Sequence, residues 1–177
     1  GHPAFSGLLL RHTTEELREL VFKSQEMYPK IWPGIKWSER KMQWTAPSGA
    51  RLWMSYLDRE DDALRYQGLA FSWIGFDELT QWPTPFAWNY MRSRLRSTAS
   101  DLPVYMRATT NPGGRGHHWV KKMFIDPAST GKSFDATDIE TGEVLRYPAG
   151  HAKAGIPLFK RRFIPARLSD NPYLAAQ

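Results

Sequence analysis

The chain contains no cysteine. That excludes disulfides, zinc–thiolate centres and thiol catalysis, and it agrees with a reducing compartment. No uninterrupted apolar run approaches the roughly 20 residues that a membrane-spanning helix needs, and no basic start leads into an apolar signal core. No segment repeats another, which excludes solenoid and propeller arrays. Acidic residues are the minority, with 18 Asp+Glu against 24 Lys+Arg. The resulting net charge of +6 and isoelectric point near 9.7 suit a polyanionic partner without requiring one. What remains is a chain of 177 residues, 41% hydrophobic, of single-domain size with enough apolar material for a core.

Phe71 to Phe76 is an apolar run without charge, the pattern of a strand buried on both faces of a sheet. It ends abruptly in Asp77-Glu78. Carboxylates there would emerge at the edge where open α/β sheets bind ligands. One reading is the Walker B element of nucleotide hydrolases, whose Asp helps hold the magnesium of a bound triphosphate. The adjacent Glu then suits activation of a water. The other reading is a buried strand ending in a solvated acidic turn. A second strand-like run, Leu102 to Thr110, ends in Thr109-Thr110-Asn111 and a Pro112-Gly113-Gly114 turn. Between the two runs, Pro85 to Leu95 has helical character, with Phe86, Tyr90 and Met91 near one face. Strand, helix, strand predicts a crossover with parallel strands whose ends share one edge. Asp77, Glu78, Thr109, Thr110 and Asn111 would then line one crevice.

Here the residues resemble a known family. The stretch LRYQGLAFSWIGFDELTQWP, followed by LPVYMRATTNPGGRGHHWVKKMF, is similar to the large terminase subunit of tailed bacteriophages. SGLLLRHTTEELREL near the start and RRFIPARLSDNPYL near the end extend the resemblance over most of the chain. It implies an α/β P-loop NTPase (RecA-like) domain with a mostly parallel sheet, here with an added hairpin, normally followed by a nuclease domain. Residues 1–177 would be a partial ATPase domain. By this resemblance Asp77 binds Mg2+, Glu78 is the catalytic carboxylate, and Thr109, Thr110 and Asn111 form the motif that senses ATP and couples its state to movement. The partners it implies are double-stranded viral DNA, a portal protein, a small terminase subunit and further copies in a ring, in the cytoplasm of the infected bacterium. A helicase-like translocase, or a degenerate P-loop module for binding or assembly, are the alternatives.

The departure from the family is the phosphate loop. No Gly-x-x-x-x-Gly-Lys-Ser/Thr occurs in the chain, so the domain is expected to be incomplete. Gly131-Lys132-Ser133 follows a polar segment rather than a buried strand and reads as a loop. Two arginines are candidates at the site, each with two readings. Arg65, just before the Asp-Glu strand, is either an arginine finger acting across a subunit boundary or a partner of Asp61 or Asp62. Arg11, at the end of a strand over Ser6–Arg11, either contacts phosphate or braces the crevice.

Elsewhere, Thr13 or Thr14 caps a helix to about Tyr28 with Leu17, Leu20, Val21 and Ser24 inward. Pro29 to Ser38 reads as a connection. Lys41–Thr45 and Arg51–Tyr56 flank a hairpin turn at Pro47-Ser48-Gly49. Asp58 to Asp62 reads as an exposed acidic loop, and residues 116–124 as a helix. Residues 126–155 read as a polar surface excursion with one hairpin around Glu140-Thr141-Gly142-Glu143, Leu158–Pro165 as a strand and Asp170-Asn171-Pro172 as a turn.

Overall fold

Two residues beyond the first strand, Thr13 begins the next element. Ser6–Arg11 forms strand β1, and Thr13 caps helix α1, Thr14–Ile31, through a reciprocal box with Glu16. Such a cap contributes on the order of 1 kcal/mol, and Glu15 and Glu16 also suit the positive end of the helix dipole. The computed structural model describes residues 1–170. The turn expected at 170–172 extends outside the described residues.

The remaining elements are β2 Lys36–Ser38, β3 Gln43–Thr45, β4 Arg51–Tyr56, β5 Trp73–Phe76, α2 Phe86–Arg92, β6 Tyr105–Ala108, α3 His117–Phe124, β7 Ser133–Asp135 and β8 Lys160–Arg162. Short 3-10 helices cover Glu60–Tyr66 and Leu79–Gln81. The chain divides into two compact units, Gly1–His117 and the residues from His118 onward. In the first unit a six-stranded sheet runs in the order β2-β3-β4-β1-β5-β6. Strands β4, β1, β5 and β6 are mutually parallel, and β2 and β3 add antiparallel to the β4 side. The fold is therefore mixed α/β with a mostly parallel sheet and an added hairpin.

Register and side-chain alternation sort the core into two faces. Leu9 lies beside Met54 and Gly75, and on that face α1 buries Leu17 and Val21 against Met54 and Trp44. Ser24 stands buried in the same helix and accepts the Trp44 indole N–H at 3.0 Å while donating to the Val21 carbonyl. That removes the cost of an unpaired N–H. On the opposite face Leu10 lies beside Phe76, whose ring packs against Trp82 and Trp88 at 5.1 and 5.4 Å. Leu8, Leu10, Ile74 and Trp82 are essentially inaccessible to solvent; each aliphatic side chain so buried contributes roughly 1.5–3 kcal/mol.

Two sequence expectations need correction. The helix continues through Pro29 to Ile31, because a proline near the last turn forfeits few hydrogen bonds, and the Trp32 N–H still reaches the Tyr28 carbonyl. Lys36–Ser38 is a strand rather than connection, paired with β3. In the second unit, β7 and β8 pair antiparallel, with further bridges between Thr137 and Val144 and between Arg146 and Pro157. The bridge between Thr137 and Val144 flanks the turn expected around Glu140–Glu143, and the other pairings extend the excursion into a small ladder. At its turn, Asp138 accepts the N–H groups of Thr141 and Glu140, which hold its carboxyl below the usual range. Gly131-Lys132 forms a turn into β7, with the Gly131 N–H bonded to Phe163. No helix follows it, unlike a phosphate loop.

Candidate functional site

Because four strands are parallel, Arg11, Tyr56, Asp77 and Thr109 emerge at one edge of the sheet. β5 and β6 are direct neighbours, and α2 lies between them in the chain. The crossover expected from the sequence is present, and it brings Asp77, Glu78, Thr109, Thr110 and Asn111 together.

The contacts are dense. Asp77 carries a bond from the Thr109 hydroxyl on Oδ1 and faces the Arg11 guanidinium on Oδ2, with Nε 2.7 Å away. The Arg11 Nε–H is not directed along that line, so the contact is coulombic rather than an aligned hydrogen bond. Both side chains are mostly buried, at 15% and 19% exposure, where such attraction is less screened than at the surface. Of its two sequence readings, Arg11 has the geometry of the brace.

Glu78 adopts a left-handed backbone, φ 60° and ψ 53°. A non-glycine residue there is strained by about 1–3 kcal/mol and persists only when its surroundings over-determine it. The surroundings are explicit. The Glu78 N–H donates to the Thr109 hydroxyl at 3.2 Å, and the Leu79 N–H to the Thr109 carbonyl at 2.9 Å. The Asn111 side-chain amide donates to Glu78 Oε1 at 3.2 Å. Two residues on, Thr80 is buried and bonded to Thr110, Asn111 and Gly116. Sequence reasoning missed Thr80. A lone threonine in a polar turn carries no signal of a role that depends on residues thirty positions later.

Arg65 lies in the 3-10 helix after β4. Its Nη2 donates to the Tyr56 carbonyl at 2.9 Å and its Nε to the Asp62 carbonyl at 3.2 Å. The Asp62 carboxylate stands 3.8 Å away and the Tyr56 ring lies beneath the guanidinium. Half-exposed Arg65 is thus at the correct sheet edge, and the Asp62 partnership foreseen as its alternative is present.

Among the described residues no three His, Cys, Asp or Glu side chains converge, so a cation held wholly by protein does not fit. A magnesium ion shared with phosphate fits better, since it takes one or two carboxylates and leaves its other positions to phosphate and water; Asp77 and Glu78 are the carboxylates at this edge, with both Asp77 oxygens engaged by Thr109 and Arg11. A cavity of about 730 Å³ opens elsewhere in the first unit, lined by Leu8, Leu17, Met54, Tyr66 and Phe71 among others. It is mostly apolar and touches neither Asp77 nor Glu78. No helix among the described residues is long and apolar enough to cross a membrane.

Residues 7–145 match a family described as terminase large subunit, T4-like-virus type, N-terminal. Two crystal forms of the large terminase from a thermophilic bacteriophage, one in complex with ADP, are similar to 65% and 66% of the chain. Both are 18% identical, with TM-scores of 0.48 and 0.47, and the chain spans 28% and 30% of their length. No curated protein matches.

Proposed function

The chain belongs to the T4-like terminase large-subunit family, matched in its N-terminal region, and on that premise we propose that it is the ATPase portion of a motor driving viral DNA into a procapsid. In this reading the fold is of the P-loop, RecA-like class, and residues 1–177 are part of one ATPase domain. The observation that carries it is the Glu78 turn: a carboxylate on a left-handed backbone at the end of a parallel strand, bonded by the Asn111 amide from the segment after β6.

Each residue has a task. Glu78 Oε1 is held by the Asn111 amide, which leaves Oε2 to accept a proton from the attacking water. As the water oxygen bonds to the γ-phosphorus, the bond to the bridging oxygen breaks and ADP leaves. Asp77 would hold Mg2+, which would supply charge neutralisation at the phosphate oxygens. For Asp77 to do so, Arg11 must yield Oδ2, and a guanidinium so released can meet phosphate. Thr109 bonds both Asp77 and the Glu78 backbone, so it registers any shift of either. Arg65 acts across a subunit boundary only after leaving Tyr56 and Asp62. Double-stranded DNA, the portal protein, the small terminase subunit, a homo-oligomeric ring and the host cytoplasm complete the proposal.

The test is Glu78→Gln in the full-length protein that carries this chain. The amide cannot take the proton, so hydrolysis should fall by about 10²–10⁴-fold while ATP binding persists. Hydrolysis at the wild-type rate by the purified variant would remove the assignment of Glu78 as the hydrolytic carboxylate.

A further inference from the structure

Thr80 joins the carboxylate turn to the segment after β6 through a closed set of bonds. Its N–H donates to the Thr110 hydroxyl at 3.3 Å, and that hydroxyl donates to Thr80 Oγ1 at 2.9 Å. The Thr80 hydroxyl in turn donates to the Asn111 carbonyl at 3.3 Å, an acceptor that the Thr110 hydroxyl also reaches at 3.2 Å. Its own carbonyl accepts the Gly116 N–H at 2.8 Å. All four polar functions of this residue's backbone and side chain are thus spent on residues 110–116. The side chain is buried, at 5% exposure, while Thr110 and Asn111 are exposed.

The fit leaves no slack on the far side. Gly114 has φ +78°, and a Cβ added to it would lie 2.7 Å from the Thr80 carbonyl oxygen and 3.1 Å from Oγ1. Both the left-handed backbone and the close approach require glycine. Residues 110–116 therefore wrap Thr80 in one arrangement, and that arrangement sets where the Asn111 amide meets Glu78 Oε1.

We infer that Thr80 is a positioning residue for the hydrolytic carboxylate: its hydroxyl holds the Asn111 backbone, and Asn111 holds Glu78. The inference rests on the reading of Glu78 given above. Thr80 touches neither water nor phosphate. Its effect is on how often Glu78 stands in the productive orientation, and misplacement on the scale of 1 Å can cost about 10²-fold in rate.

In the full-length protein, Thr80→Val keeps the shape and removes the hydroxyl, and Thr80→Ser keeps the hydroxyl and removes the methyl. Thr80→Val should lower kcat by about 10- to 100-fold and leave the Kd for a fluorescent ATP analogue within about twofold, while Thr80→Ser restores most of the rate. Wild-type kcat in Thr80→Val overturns the inference. So does a loss that serine fails to restore, or one in which binding falls in step with rate, since either marks a merely structural residue. Should Thr80→Val fail to fold, Thr80→Ala removes the same hydroxyl without adding the second methyl, and the same split between rate and binding decides. An inactive Glu78→Gln beside a fully active Thr80→Val sinks this inference alone, whereas an active Glu78→Gln sinks the reading beneath it.

Discussion

Arg11 and Asp77 meet across two neighbouring strands with little solvent between them. Removing one partner leaves the other charge poorly compensated, and coupling between partly buried groups in contact runs to about 1–3 kcal/mol. A double-mutant cycle of Arg11→Ala and Asp77→Ala, followed by urea unfolding, should therefore show strong non-additivity. Strictly additive losses would mean the pair contributes nothing to stability. The two carboxylates were legible in the sequence because an apolar run ended on them. The partner of Arg11 was not legible, because phosphate contact and bracing ask for the same residue at the same strand end. Only the 2.7 Å approach to Asp77 favours the brace. Arg65 was equally divided between two readings, and contacts with Tyr56 and Asp62 decide its position without deciding its role.

Among the elements, β5 shows how a sheet accommodates bulk. Gly75 sits where the Trp73 indole lies across the strand, and a Cβ there would meet that ring at 2.3 Å and Leu9 at 3.0 Å. Overpacking of this kind costs about 1–3 kcal/mol. Gly75→Ala should lower unfolding stability by that amount in a denaturant titration; an unchanged midpoint would show that the indole moves aside freely. The long elements were readable from pattern alone. β1, α1 and the β3–β4 hairpin have clear periodicity, a cap or a Pro-Ser-Gly turn. β2 was hidden among two prolines and Gly34, since three residues carry no period and only pairing with β3 makes them a strand. β6 was foreseen in place and direction but is short, and Tyr105 is 41% exposed. β-branched and aromatic character reports strand tendency, whereas burial depends on what covers the strand.

For the molecule as a whole, charge and composition bounded the class and left the partner open. The crossover placed the site, because parallel strands share an edge whatever their side chains. The same reasoning limits what these 177 residues do unaided. A triphosphate needs a cradle of backbone amides, and none of the chain's glycine-containing loops follows the required pattern. Asp77 and Glu78 repel phosphate unless a cation bridges them. Calorimetric titration of this chain with magnesium-ATP should give a Kd weaker than about 1 mM, equivalent to less than about 4 kcal/mol, or no heat at all. Micromolar affinity would point to an unrecognised phosphate site, with the turn at Gly131-Lys132 examined first.

The backbone at Glu78 has a consequence for stability. Apart from Met42, it is the one non-glycine residue with positive φ among the described residues, and glycine or asparagine would occupy that conformation at lower cost. Glutamate at this position therefore opposes the backbone's own preference, and the bonds with Thr109 and Asn111 hold it there. Where no proton had to be taken from water, the same turn would be more stable with glycine or asparagine at position 78.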